Sequence, residues 1–314
     1  MVIRDKGKQY TDKKKGLVFH IIHGSFVDGY GIRTTVFLKG CPLRCLWCCN
    51  PEGQTGYPEL KYTIDKCNSC GKCLEICPEG ALTLDSISEK ILINRKLCTN
   101  CGKCISVCYT GALQYFGTYY TVDEVFNIIK KDEQYYRSSG GGATIGGGEP
   151  LFQASFTYAL MKTCQENYIH VAIDTCGYAI SKEQFRILSE ADLLLYDLKG
   201  LDTDVHLKNT GVSNEIIISN LKKLNDMGKS IIIRIPVIPR LTVNEDNVED
   251  IAAMLAQLKS IERVDLLPYH TYGTIKYQQL GREYNLDILC DVQALAENTK
   301  RILESNSLNV QLGG

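Results

Sequence analysis

Eleven of the fifteen cysteines in this chain fall into three short clusters of three, four and four, and any fold must bring each set of thiols to a common centre. The first cluster is Cys41-Pro-Leu-Arg-Cys45-Leu-Trp-Cys48, just past the apolar run at 34–38. A soft, multi-thiolate site suits a [4Fe–4S] cluster, which ordinarily takes four cysteines. Three thiols on one loop leave one iron without a protein ligand, and a reactant can bind there. The alternative is a zinc loop with Cys49 as fourth ligand. Adjacent Cys48 and Cys49 do not easily aim both sulfurs at one tetrahedral ion, which disfavours it.

The other two clusters are Cys67-Asn-Ser-Cys70-Gly-Lys-Cys73-Leu-Glu-Ile-Cys77-Pro78 and Cys98-Thr-Asn-Cys101-Gly-Lys-Cys104-Ile-Ser-Val-Cys108. Both follow the ferredoxin spacing C-x2-C-x2-C-x3-C, with Tyr109 replacing the proline in the second. In paired runs of this kind the fourth cysteine of each ligates the other cluster. One [4Fe–4S] centre is therefore assigned to Cys67, Cys70, Cys73 and Cys108, the other to Cys98, Cys101, Cys104 and Cys77. A pair of zinc ribbons fits this spacing less well. Residues 62–115 are expected to form a ferredoxin-like domain with two clusters.

Such thiols read as disulfides only in a small secreted chain. Here the first fifteen residues, with Lys13-Lys14-Lys15, are polar and read as a flexible lead, not a signal peptide. No run of eighteen apolar residues exists, so no membrane span is expected. Thirty-five basic residues against thirty-six acidic ones argue against a surface that coats nucleic acid or anionic membrane. The expectation is a cytoplasmic protein of a reducing, anaerobic cell. Cys164 and Cys290, on helical stretches, are expected to be buried structural thiols.

Outside the cysteine runs the pattern is of strands and helices. Strands are expected over 17–22 and 33–38, with a turn-rich loop at 24–31; His20 and His23 read as strand residues. Thr121-Val-Asp-Glu124 and Ser181-Lys-Glu-Gln184 are capping boxes opening helices. Strands follow over 143–145, 170–174, 193–196, 231–235, 264–267 and 309–312. Helices are expected over 153–166, 214–227, 248–258 and 291–304. Apolar strands, each followed by a helix, predict a parallel sheet covered by helices. Too few units exist for a closed eight-unit barrel, so the expected class is α/β, an open partial (β/α)6 barrel built from 16–61 and 116–314. A flat doubly wound sheet is the alternative.

Cys41, the Gly147-Gly148-Glu149 turn, Asp174, Lys199, Arg234 and His270 each lie at or just after the carboxyl end of a different expected strand. In parallel α/β folds that rim carries the active site. An amino acid chelating the vacant iron through its amino and carboxylate groups would fit, with Lys199 or Arg234 neutralising the carboxylate.

With these residues in hand, the chain resembles the radical S-adenosylmethionine (SAM) superfamily, whose mark is CxxxCxxC, and more narrowly the activating enzymes of glycyl radical enzymes. The resemblance rests on Asp28-Gly-Tyr-Gly-Ile-Arg33-Thr-Thr, Gly40 to Cys48, Asn50-Pro-Glu52, Gly147-Gly-Glu-Pro150, Asp197-Leu-Lys199 and Leu267-Pro-Tyr-His270. It implies three [4Fe–4S] clusters and SAM on the unique iron, its amino group at Gly147 and Gly148 with Glu149 shaping that turn. It places Trp47 beside the adenine, and Asp174 and Thr175 near the carboxylate. Asp197, Lys199, Arg234 and His270 would surround SAM and the substrate peptide, while Asp28 and Arg33 would touch the partner's glycine segment. The implied reaction cleaves SAM reductively to a 5′-deoxyadenosyl radical, which takes a hydrogen from a backbone glycine of the partner.

Reduced flavodoxin or ferredoxin would be the electron donor, and a monomer is expected. Thr210-Gly-Val-Ser-Asn-Glu-Ile-Ile and Asp265 to His270 resemble activators of glycerol or propanediol dehydratases. Asn309 to Gly314 resembles activators of hydroxyproline dehydratase, and Asn50-Pro-Glu-Gly-Gln54 those of choline lyase; a dehydratase partner is favoured. The family pattern is altered at Tyr30, at Gly146 and at Pro239 to Asn244. A radical SAM enzyme acting on a small molecule or another peptide, and an iron–sulfur electron carrier, are the competing readings.

Overall fold

A computed structural model of the chain describes residues 15–244, 247–288 and 290–313. The expected lead at 1–15 therefore falls, except for Lys15, outside the described residues. The strands in chain order are β1 (Lys15–Ser25), β2 (Arg33–Leu38), β3 (Glu59–Tyr62), β4 (Leu82–Leu84), β5 (Ile91–Ile93), β6 (Leu113–Phe116), β7 (Thr118–Thr121), β8 (Gly142–Gly147), β9 (Val171–Thr175), β10 (Leu193–Asp197), β11 (Ile231–Val237), β12 (Ile261–Pro268) and β13 (Val310–Leu312).

Nine of them form one sheet in the order β13-β12-β11-β10-β9-β8-β2-β1-β7. From β2 through β13 every neighbouring pair is parallel, while β1 pairs antiparallel with β2 and β7. Each new parallel strand adds on the same side of the last. A doubly wound sheet must reverse direction part-way, and this one does not, so the alternative fold is excluded. Right-handed crossovers in one direction place all the covering helices on one face, and the other face becomes the inside of an unclosed barrel.

Burial along the strands shows the two faces. Val171, Ile173, Leu194, Tyr196, Ile231 and Ile233 join the large core beneath the helices. Their neighbours Ala172, Leu193, Leu195 and Ile232 form a separate small cluster, so period-2 alternation puts them inside the barrel. Asp174, Asp197 and Arg234 continue that inner row toward the carboxyl ends of their strands.

The covering helices form where caps and apolar spacing coincide. Thr121 and Glu124 make a reciprocal capping box before the helix Val122–Ile129, and Ser181 and Gln184 do so before Lys182–Glu190. Helices Ala154–Glu166, Glu215–Asp226, Val248–Ala256 and Val292–Ser305 follow the expected pattern. Among the helices not expected are Thr203–Thr210 and Thr274–Leu280, along with Glu133–Ser139 and the short Lys72–Glu75 and Lys103–Ser106 of the insert. The first buries His206, Asn209 and Thr210, so its hidden face carries no apolar periodicity. No helix among the described residues is long and apolar enough to cross a membrane.

The cysteine-rich insert interrupts the connection between β2 and β8. It pairs β3 with β6 and β4 with β5 and has its own small core of Leu60, Cys73, Leu82, Ile91, Cys104 and Leu113. Cys164 is buried in its helix as expected. Cys290 is exposed and precedes the helix Val292–Ser305, which corrects the expectation of a buried thiol there.

Candidate active site

The Cys41–Cys48 loop leaves β2 through Gly40, whose φ of 98° suits glycine. Backbone bonds then pin it from several directions. Gly40 N donates to Gly53 O at 2.7 Å, Arg44 N to Thr210 O at 2.6 Å and Leu46 N to Asn209 O at 3.1 Å. The far end is held by Tyr277 Oη, which donates to Cys48 O at 3.0 Å, and by Lys276 Nζ, 2.7 Å from Asn50 Oδ1. Helices Thr203–Thr210 and Thr274–Leu280 thus clasp the thiol loop between them.

Cys41, Cys45 and Cys48 open onto one cavity of about 330 Å³ at the carboxyl rim of the sheet. Trp47, Gly147, Gly148, Asp174, Asp197, Lys199, Arg234, His270 and Asp28 line the same cavity. Residues far apart in the chain are therefore brought to one site.

Its charges are paired, one pair across strands and one at the end of a single strand. Arg234 Nη1 lies 3.2 Å from Asp174 Oδ1 and 3.9 Å from Asp28 Oδ1, and Lys199 Nζ lies 2.6 Å from Asp197 Oδ2. Burial pulls the Asp174 carboxyl up to about 7; Arg234 opposes this, and Asp197 and Asp28 add to it. Burial works against the positive charge of Arg234 and Lys199. The surrounding carboxylates outweigh it, so both hold their protons more firmly than usual. Three carboxyl groups and two cations line the cavity, and with Asp174 drawn toward its neutral form the two remaining carboxylates balance Lys199 and Arg234. His270 stacks on Tyr272 with ring centroids 4.6 Å apart, and its pKa is lowered by burial and by Lys276.

The glycine turn brings bare backbone to the cavity. Gly147 has φ 114°, and a Cβ there would fall 2.5 Å from Leu38 N; one on Gly148 would fall 2.3 Å from Gly53 O. Glu149 is 1% exposed. Its carboxylate accepts from Leu151 N at 3.1 Å, Thr175 Oγ1 at 2.9 Å and Cys176 N at 2.7 Å. Glu149 and Thr175 therefore sit behind the cavity wall and fasten the turn to the end of β9, so direct contact with a ligand does not fit them.

Arg33 needs a firmer correction. Its side chain is wholly buried, donating to Thr144 Oγ1 at 2.7 Å, Ala143 O at 2.5 Å and Tyr30 O at 3.1 Å. It braces β2 against β8 and has no surface to offer a partner. Asp28 accepts from Ser25 Oγ at 2.6 Å and Thr35 Oγ1 at 2.7 Å and reaches only the cavity. Sequence reasoning missed Phe37, Leu43, Cys176 and Tyr269 in the lining. Phe37 was detectable, because it alternates with the core residues Val36 and Leu38.

In the insert, one small cavity is lined by Cys67, Cys70, Cys73 and Cys108, and another by Cys77, Cys98, Cys101 and Cys104. The fourth cysteine of each run thus faces the other run's set. Backbone N–H groups of Ser69, Ala81 and Leu113 donate to Cys67, Cys77 and Cys108 sulfurs at 3.4, 3.3 and 3.4 Å. Among the described residues no three His, Cys, Asp or Glu side chains converge tightly enough for a single metal ion. Each set offers four thiols, one for each iron of a cubane. The donor sets fit iron–sulfur clusters.

Known proteins resemble the chain along most of its length. The Radical SAM superfamily pattern matches residues 103–255 and the 4Fe-4S dicluster domain matches residues 66–112. The chain is 42% identical over 302 residues to the trans-4-hydroxy-L-proline dehydratase activating enzyme of Clostridioides difficile, covering 95% of this chain and 99% of that one. It is 41% identical to the isethionate sulfite-lyase activating enzyme of Oleidesulfovibrio alaskensis, covering 91% and 94%. The solved structure of Streptococcus suis SuiB bound to precursor peptide SuiA matches with a TM-score of 0.50 at 20% identity, covering 63% of this chain and 43% of that one, and shares the fold alone.

Proposed function

We infer the activity from a premise of kinship: the chain belongs to the radical SAM superfamily, among the activating enzymes of glycyl radical enzymes. Its substrate is therefore a protein, a glycyl radical enzyme whose backbone glycine gives up a hydrogen atom. When bound, the cluster and SAM supply the electron and the 5′-deoxyadenosyl radical for that step.

The protein's part is binding, orientation and exclusion of water. Cys41, Cys45 and Cys48 would hold one cluster, which would bind SAM and supply its electron. Gly147 and Gly148 offer backbone groups to the amino end. Asp28, Asp174 and Asp197 would surround the ligand with carboxyl groups, and Lys199 or Arg234 would neutralise its carboxylate. Trp47 flanks the adenine, and His270 closes the outer side. No side chain is required as an acid or base. Two further clusters in the insert bring the total to three, loaded by a reduced flavodoxin or ferredoxin. The protein works as a cytoplasmic monomer.

The observation that carries this reading is the convergence of an incomplete thiolate set, a bare glycine turn and paired charges on one cavity. A dehydratase is the partner we favour, of the hydroxyproline or the glycerol/propanediol type. The nearly equal identities to activators of a dehydratase and of a sulfite-lyase make this a matter for experiment. Reduced protein is incubated with SAM and candidate partners. A glycine-centred radical on the dehydratase alone supports the reading. Abundant 5′-deoxyadenosine with no radical on any partner points to a small-molecule substrate, and no SAM cleavage points to an electron carrier.

A further inference from the structure

The two cysteine runs of the insert repeat each other, yet the residue two places after the last cysteine differs: Glu79 in one run, Thr110 in the other. Because the fourth cysteine of each run faces the other run's set, Thr110 lines the cavity of Cys67, Cys70, Cys73 and Cys108, and Glu79 that of Cys77, Cys98, Cys101 and Cys104. One wall carries a hydroxyl where the other carries a carboxylate.

The donors to sulfur are unequal as well. In the Thr110 cavity, Ser69 N donates to Cys67 Sγ and Leu113 N to Cys108 Sγ, each at 3.4 Å. Thr110 Oγ1 lies 3.6 Å from Cys108 Sγ and accepts from Ala112 N at 3.4 Å. A cluster-bound thiolate has no proton to give, so the hydroxyl is the donor to sulfur. Among the described residues the Glu79 cavity receives one such bond, from Ala81 N to Cys77 Sγ at 3.3 Å.

The two sets also differ in their distance from the barrel. Strand β3 starts at Glu59, which lies 3.2 Å from Lys39 Nζ at the end of β2. The next residue, Leu60, donates its N–H to Asn100 Oδ1 at 3.0 Å, and Asn100 lines the Glu79 cavity. Tyr62 lines the Thr110 cavity, two residues and ~7 Å further along the strand. The Glu79 set is therefore the inner one and the Thr110 set the outer.

We propose that Thr110 and Glu79 are positioning residues that split the two insert clusters in reduction potential, the outer one held higher and filled first, the inner one held lower beside the barrel. This rests on the reading of three clusters. Reduction adds one electron to a cluster and no proton. Hydrogen bonds to its sulfurs stabilise the added charge, and a neighbouring carboxylate opposes it. Both differences between the cavities act in the same direction.

The test uses the full chain, reconstituted without oxygen. Iron is counted first: about twelve per chain upholds the three-cluster reading, and fewer in the parent protein overturns that reading and the proposal with it. Each protein is then titrated with titanium(III) citrate and followed by electron paramagnetic resonance, the barrel cluster being recognised by its response to added SAM. Glu79→Gln is expected to raise the lower insert wave, the reduced-to-oxidised ratio at a fixed potential growing about tenfold, equivalent to ~59 mV for a one-electron couple. Thr110→Val is expected to lower the upper insert wave, its ratio falling about threefold, and Thr110→Ser to restore it. Glu79→Gln alone carries the test should Thr110→Val fail to hold its iron. Waves that stay in place with all the iron retained, or a single wave moved by both variants, overturn the proposal.

Discussion

Arg234 on β11 meets Asp174 on β9 at 3.2 Å, reaching across the inside of the barrel past the intervening strand β10. Both side chains are largely hidden from solvent, 13% and 21% exposed. Breaking a buried pair by removing one member strands the other, at about 3–5 kcal/mol. Arg234→Gln leaves Asp174 facing Asp28 and Asp197 without its cation, and is expected to destabilise the protein in that range, read by chemical unfolding. Asp174→Asn should cost less, because burial already favours the protonated carboxyl. Equal losses from the two variants would contradict this account of the pair.

Cys41→Ala is expected to abolish SAM cleavage and to reduce the iron content from about twelve to about eight per chain, leaving the insert clusters intact. Cys49→Ala should keep all the iron. Iron loss in Cys49→Ala, or zinc in place of iron in the parent protein, would revive the metal-loop alternative.

Gly148→Ala forces a methyl group toward Gly53 O, 2.3 Å from its ideal position. Backbone, not a flexible side chain, is in the way. The turn must shift, and SAM affinity measured by equilibrium dialysis should fall at least about tenfold, or ~1.4 kcal/mol. Unchanged affinity would mean that the turn is not part of the ligand's cradle.

His206 offers a pH-dependent handle on the same site. It is 2% exposed, its Nδ1–H donates to Val212 O at 2.8 Å, and burial lowers its pKa below the ordinary 6.5. A folded-state pKa below the unfolded one means stability that is full above about pH 6.5 and is lost as pH falls through the lowered value. The thermal midpoint should therefore drop more steeply between pH 7 and 5 in the parent protein than in His206→Gln; acid damage to the clusters is common to both. Parallel curves would show that the imidazole is not coupled to folding.

Much of this architecture was legible before any coordinates. The ferredoxin spacing dictates which thiols can share a cluster, and apolar runs alternating with capped helices dictate a parallel sheet. The rim argument worked because inner-face residues at strand ends must point into a common space. Thr203–Thr210 and Thr274–Leu280 escaped notice because their task is to hold the cysteine loop through polar groups: the Asn209 and Thr210 carbonyls, the Tyr277 hydroxyl and the Lys276 ammonium. Hydrophobic periodicity is blind to such helices. Arg33 and Thr175 differ from expectation for a related reason, whereas Glu149 shapes the glycine turn as expected. A polar residue next to a site motif reads alike whether it faces the ligand or braces the wall behind it, and only burial tells the two apart.

Among the described residues the strand order ends at β13 on one side and β7 on the other, with no ladder joining them. The sheet is therefore an arc with two edges, and its inner row of Asp174, Asp197 and Arg234 lies on the middle strands, away from both.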